Sequence, residues 1–341
     1  MPSTTDCPEV SELPDWPIAG DFGGRCLAGP CSFDRELLLP TSTYFGLHKE
    51  GSFLYGTWRD EDGNLLRALR GVATESSTMR WVFASTPGGQ LERADAAEAT
   101  MWSGPTEVTH DDRSVTFASV GAEQGDGFTF IHADAGCSWT DASVLDVHGT
   151  LLGPAVQWYS SWGGGACYSV SAKYRSSGQL LGRKVEGFIG HEIHYFSDVA
   201  NWWASPFGAG REICWQQVAN EYADGSTVHG TFAYGNDGWG FAMLQDEDGR
   251  FHCSTEVVAE ATVTSTGYPA SITYRFDDQA WTWRIDPQGE RAQILPGSPL
   301  RGADGTALRE GDPRPVRLSM GNTDWWTDGR ADRIITGRSL G

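Results

Sequence analysis

Hydrophobic and polar positions along this chain almost nowhere sustain a helical period. Short runs rich in Val, Ile, Thr, Tyr, Phe and Trp recur instead, among them "SFLYGTWRD", "RWVFAS", "SVTFASV", "FTFIHAD", "CYSVSAKYRS", "WGFAMLQD", "SITYRFDD" and "AWTWRID". Turn signals stand between them: Asp62-Gly63, Gly88-Gly89, Ser177-Gly178, Asp224-Gly225, Asp248-Gly249 and Asp304-Gly305. Many β runs with regular turns and no intervening helices predict an all-β, antiparallel barrel or sandwich. One helix is predicted, over "ERADAAEATMW" at 92–102. Residues 1–40, rich in Pro, Gly and Cys, read as an irregular wrapping arm. There are too many strands for one small barrel. The Gly- and Pro-bearing stretch "HGTLLGPAVQWY" at 148–159 is the predicted seam of two tandem β modules, 1–155 and 156–341.

One run combines an apolar strand with ionisable groups: "GFIGHEIHYF", 187–196. Period two puts Phe188, Gly190, Glu192, His194 and Phe196 on one face, and Ile189, His191, Ile193 and Tyr195 on the other. Glu192 and His194 are then same-face neighbours, roughly 6.5 Å apart along the strand. A carboxyl and an imidazole on an apolar face can form an acid–base pair, each tuning the other. The same pair can be a structural hydrogen bond in a core. As metal ligands the two lack the helical His-Glu-x-x-His spacing and a third partner, so no metal is expected. A loop bearing Asp198, Asn201, Trp202 and Trp203 follows. It returns into "REICWQQVANEY", where alternation groups Arg211, Ile213, Trp215 and Gln217 on one face and Glu212, Cys214 and Gln216 on the other. The paired tryptophans in "NWWAS" and "TDWWTDG" either straddle an element or lie on loops. They serve as core filling or as an aromatic lining for an apolar ligand.

This order of a Gly-rich approach, a His–Glu–aromatic strand, a Trp-bearing strand and an acidic-Gly turn resembles the carotenoid 1,2-hydratase (hydroxyneurosporene synthase) superfamily. Relatives of that superfamily include lipocalin-like proteins and cyclases of the Diels-Alderase type. Gly187, His191, Glu192, Trp215 and Asp224-Gly225 fall where the family pattern has its counterparts, over roughly 45 residues. Gly190 stands where an Asp is usual and Ile193 where a Trp is usual, so Glu192, His194 or Asp198 would have to supply the acid. The resemblance implies two lipocalin-like barrels, a hydrophobic pocket, and hydration or cyclisation of polyene- or polyketide-like molecules without a cofactor.

Charge narrows the partners. Against 25 basic residues stand 45 acidic ones, a net charge of −20, so the basic footprint that nucleic acid or anionic membranes require is missing. The first twenty residues carry no basic start and no apolar segment of the signal-peptide kind, and no run is apolar enough to span a bilayer. Seven scattered cysteines read as reduced thiols of a cytoplasmic protein. Three function classes follow. The first is a cofactor-free lyase, isomerase or cyclase for a terpenoid, steroid or polyketide-like molecule. There Glu192, His194, His191 and Asp198 are the candidate catalytic groups, and Tyr195, Trp202, Trp203, Arg211 and Trp215 the candidate substrate contacts. The second is a carrier of a hydrophobic ligand. The third is carbohydrate cleavage by Glu192 with Asp198 or Glu212.

Overall fold

The computed structural model describes residues 26–73, 76–86, 89–162, 165–197, 202, 205, 210–293 and 297–338. The first half comprises β1 (Cys26–Cys31), β2 (Thr43–Tyr44), β3 (Leu47–Asp60), β4 (Leu65–Val72), β5 (Ser76–Ser85), β6 (Gln90–Arg93), the helix α1 (Asp95–Thr100), β7 (Gly104–His110), β8 (Ser114–Ser119), β9 (Phe128–Ala133) and β10 (Gly136–Asp141). Then come β11 (Leu145–Leu151), β12 (Ala155–Trp162), β13 (Gly165–Leu180) and β14 (Arg183–Phe196). The remainder comprises β15 (Glu212–Tyr222), β16 (Thr227–Gly235), β17 (Gly240–Gln245), β18 (Phe251–Ser254), β19 (Val258–Val263), β20 (Pro269–Phe276), β21 (Gln279–Arg291), β22 (Leu300–Arg309), β23 (Val316–Trp326) and β24 (Ile335–Arg338). The antiparallel all-β reading is borne out. The predicted helix shortens to six residues.

The pairing closes one barrel. Antiparallel ladders run β13–β14–β3–β4–β5–β7–β8–β9–β10–β11 and return from β11 to β13, a ring of ten strands. Closure works because β13 is 16 residues long: its second half pairs with β11 while its first half pairs with β12, which in turn carries β1 outside the ring. The barrel lumen is filled. Leu54, Trp58, Val82, Phe117, Phe130, Trp139, Tyr174, Ile189 and Ile193 belong to one buried core.

The second sheet runs β24–β19–β20–β21–β22–β23–β15–β16–β17–β18, antiparallel except where β24 joins β19. It curls around its own core of Ile213, Val218, Phe232, Tyr274, Trp281, Trp283 and Trp325. The seam expected at 155 falls inside the first core. Strands β12 to β14 ladder with β1, β3 and β11, so the two cores divide after Phe196. Two turn signals also lie within strands: Ser177-Gly178 in β13 and Asp304-Gly305 in β22. Gly305 is needed for contact rather than for a turn, because a Cβ there would stand 2.6 Å from the Trp283 ring. Gly88 lies outside the described residues.

The modules meet face to face. The outer wall of the barrel at β3 and β14 lies against β15 and β23, with Tyr55, Phe188, Ala219, Leu318 and Met320 as one buried contact cluster. A second cluster joins Trp158 of β12 and Phe196 of β14 to Trp215, Trp239 and Phe241. Among the described residues no helix is long and apolar enough to cross a membrane.

Candidate functional site

On β14 the alternation read from sequence holds. Ile189, Ile193 and Tyr195 enter the barrel core, and Phe188 and Phe196 enter the contact clusters between modules. Glu192 and His194 therefore face the second sheet. There they line a cavity of about 150 Å³ together with Phe53, Tyr55, Leu69, Trp81, Trp202 and Trp215. The polar part of the lining comprises Arg67, Glu212, Arg291, Arg301, Asn322 and Asp324, with Asp324 paired across the strands to Trp215. A volume of this size matches a single ring-sized group.

The cross-strand register explains which side chains surround Glu192. Ser171 and Phe53 stand beside it on the neighbouring strands, and Lys173 and Tyr55 stand beside Gly190 one step along. A Cβ on Gly190 would lie 2.1 Å from the Tyr55 ring, so the missing side chain is what lets the phenol lie across the strand next to the carboxyl. The position where the family pattern has an Asp is thus covered here by Tyr55.

Glu192 Oε1 accepts hydrogen bonds from Trp215 Nε1 at 3.1 Å and from Gln217 Nε2. Gln217 is held in that orientation from behind. Its Oε1 accepts from Thr231 Oγ1 at 2.9 Å and Ser171 Oγ at 3.4 Å, and Ser171 in turn accepts from Lys173 Nζ at 2.5 Å. Burial raises Glu192 to about 7, with the Lys173 charge acting the other way. Burial likewise lowers Lys173 to about 7, opposed by Glu192. Burial thus favours the neutral form of both groups, while each favours the charged form of the other. His194 Nε2 is 4.0 Å from Glu192 Oε2, and burial pushes its imidazole down to about 3. His194 is a neutral neighbour of the carboxyl and a weak base. Its ring lies 5.4 Å from that of Phe53 and 5.2 Å from that of Trp202, whose backbone N–H donates to Glu50 Oε1 at 2.7 Å.

The polar part of the lining ties the modules together. Asp304 Oδ1 of β22 accepts from Thr57 Oγ1 at 2.9 Å and from Arg67 Nη1 at 2.8 Å, both on the barrel wall. Arg291 of β21 lies 3.4 Å from Asp304 Oδ2 and 3.6 Å from Asp324. Burial raises Glu212 to about 8, with Asp324 adding to the effect, and Trp326 Nε1 donates to Glu212 Oε1 at 3.0 Å.

Several sequence expectations are corrected by this geometry. Tyr195 points into the barrel, where its hydroxyl donates to the Leu37 carbonyl at 2.8 Å, so it does not contact the cavity. His191 is wholly buried in the barrel between Phe33 and Phe130, away from Glu192's face. Arg211 lies 3.8 Å from Asp237 and is not in the cavity wall. A register shift between Glu212 and Cys214 is the reason: it breaks the alternation and brings Glu212, not Arg211, to Trp215's side. Asp198, Asn201 and Trp203 lie outside the described residues, as does Cys7. Among the described residues the cysteines form no disulfide. Among the described residues no three His, Cys, Asp or Glu side chains converge as a metal site. Tyr55, Arg67, Lys173, Arg291, Asp304 and Asp324 went unforeseen. The one available signal was the alternation in "SFLYGTW", which puts Phe53, Tyr55 and Thr57 on one face.

No known protein family and no curated protein matches the chain in sequence. The resemblance drawn from "GFIGHEIHYF" therefore stands on the quoted residues alone. The solved structures similar in fold include these two. A candidate AttH from Nitrosomonas europaea is 18% identical with a TM-score of 0.44, covering 81% of this chain and 92% of that one. Kievitone hydratase from Nectria haematococca is 9% identical with a TM-score of 0.39, covering 88% of this chain and 94% of that one. At this distance, activity has to be argued from the cavity itself.

Proposed function

We propose that the protein catalyses a redox-neutral acid–base reaction, hydration–dehydration or cyclisation, on a small apolar molecule held between the two modules. The observation that carries this reading is a buried carboxyl, raised to about 7, in the wall of a mainly aromatic and aliphatic cavity. A carboxyl kept neutral near physiological pH can deliver a proton or a hydrogen bond. In a hydration, Glu192 transfers its proton to one alkene carbon, the π electrons form the new C–H bond, and positive charge develops on the other carbon. The faces of Trp202, Trp215 and Phe53 stabilise that charge. Water adds to the cation and its surplus proton returns to Glu192, so the net change is addition of one water. In a cyclisation the same carboxyl polarises the substrate while the walls hold it folded. Trp215 and Gln217 fix Glu192 Oε1, leaving Oε2 as the oxygen nearer His194. A terpenoid-, steroid- or polyketide-like substrate would place only its reacting portion in so small a space.

The second reading is a carrier. It is favoured by the fact that both hydrogen bonds to Glu192 cross from one module to the other, as a structural tie would. One experiment separates the two. The protein is incubated with a panel of such alkenes in deuterated water, and deuterium uptake, hydration and isomeric products are followed by mass spectrometry. Glu192→Gln keeps the shape and a hydrogen-bond donor but cannot transfer a proton, so turnover falls by about 100-fold or more. His194→Gln costs less. Unchanged turnover in Glu192→Gln removes the acid role, and absence of any product with saturable binding favours the carrier.

A further inference from the structure

The guanidinium of Arg67 is wholly buried, and the residue lines the cavity. Its Nη1 is engaged with Thr57 and Asp304. Its Nε and Nη2 have no hydrogen-bond partner. Those two N–H groups share one edge of the planar guanidinium, the edge whose spacing matches the two oxygens of a carboxylate. A buried donor without a partner is unfavourable, and here two stand side by side.

The surroundings favour an anion beside Arg67. Arg291 brings a second guanidinium, held by Asn322 Oδ1 and the Thr323 carbonyl, each at 2.9 Å. Gly302 leaves the space for it, since a Cβ there would stand 2.2 Å from the Arg291 guanidinium carbon. Arg301 adds a third, partly buried cation, with Nη1 donating to the Ser298 carbonyl at 2.7 Å. Asp304 is shared between Arg67 and Arg291 and Asp324 lies 3.6 Å from Arg291, so two aspartates stand against three guanidiniums.

We propose that the cavity binds the carboxylate end of its substrate through the Nε and Nη2 edge of Arg67, with the apolar body lying toward Glu192. This rests on the reading of the cavity as the substrate site. The register sets the length. Arg67 is paired with Thr57, next to Phe188, and Glu192 is paired with Phe53, so four residues separate the two rows. Four strand residues span roughly 13 Å, from which the reach of the arginine side chain is subtracted. Arg67 Cζ lies 5.9 Å from the centre of the Tyr55 ring, so a short spacer joins the carboxylate to the reacting carbons.

The test compares 4-phenylbutanoate with its amide, 4-phenylbutanamide, by calorimetry and by quenching of tryptophan fluorescence at pH 7.5. The carboxylate binds about tenfold more tightly than the amide if it occupies the fork. Arg67→Lys keeps the charge and the link to Asp304 but loses the planar edge, so the preference falls below about threefold while circular dichroism is unchanged. Equal affinity of acid and amide for the wild-type protein overturns the proposal. So does a carboxylate that shows no saturable binding at millimolar concentration, or an Arg67→Lys protein with its preference intact. If that variant does not fold, the wild-type comparison decides alone. Glu192→Gln keeps the preference, so loss of the acid role and loss of the carboxylate site are read separately.

Discussion

The Tyr55 ring lies across Gly190 of the neighbouring strand, so close that a Cβ on Gly190 would be 2.1 Å from it. The ring is boxed in by Phe188, Ala219 and Met320 and has little room to yield. The phenol and the Glu192 carboxyl are adjacent because of this absent side chain. Gly190→Ala is expected to cost about 1–3 kcal/mol in urea unfolding through overpacking. A loss below 0.5 kcal/mol, within the ordinary range of surface substitutions, would show that the ring is free to swing aside.

The carboxylate of Asp304 serves two buried guanidiniums, those of Arg67 and Arg291. Asp304→Asn leaves both without their counter-charge. Removing one partner of such a network costs about 3–5 kcal/mol. The expected result is a lower urea midpoint.

Glu212 gives a stability signal with a definite sign. Its carboxyl is held at about 8 in the folded protein by burial and by Asp324, against an ordinary value of 4.5. Between those two values the folded state keeps a proton that the unfolded state has lost. Its contribution is complete below pH 4.5 and is lost as pH rises through 8, at about 1.4 kcal/mol per pH unit. Glu212→Gln lacks that loss. The drop in unfolding free energy from pH 5 to pH 8 should be smaller in the variant by roughly 3–4 kcal/mol. Parallel curves for the two proteins would mean that Glu212 is solvated.

The pH dependence of turnover tests Glu192 in the same spirit. In the proposed reaction the working form is the protonated acid, so the rate is expected to fall as pH rises through about 7 and to be level below it. Lys173, when charged, favours the carboxylate. Lys173→Met should therefore move the alkaline fall to higher pH. A shift to lower pH would show that Lys173 is not acting on Glu192 through its charge.

Alternation alone places Glu192 and His194 on one face and His191 and Tyr195 on the other, and this was legible because β14 keeps its period up to His194. The prediction failed one strand later, where the irregularity between Glu212 and Cys214 exchanges the faces expected for Arg211 and Glu212. No glycine marks the irregularity at Glu212-Ile213-Cys214, so the usual signal of a bulge is missing there. Asp304-Gly305 misled for another reason. The pair has turn composition, yet Gly305 makes room for Trp283 and Asp304 is buried between arginines. Arg67, Tyr55 and Lys173 were out of reach because their proximity to Glu192 comes from strand pairing between distant segments. A single sequence shows which face a residue takes, not which strand lies beside it.

At the cavity the two sheets share one short parallel ladder, Glu290–Arg291 of β21 with Gln90–Leu91 of β6, and otherwise touch through side chains, which divides the work unequally. Glu192, Tyr55, Lys173 and the phenol-sized gap at Gly190 all belong to the closed ring of ten strands, whose hydrogen bonds leave no free edge from which to unravel. Arg291, Leu300, Arg301 and Gly302 belong to the other sheet and border the same space. One side of the chamber is an anvil with fixed chemistry, and the other is an interchangeable die. Ser298 and Leu300 are where a change of cavity shape can be engineered while Glu192 and its neighbours stay as they are.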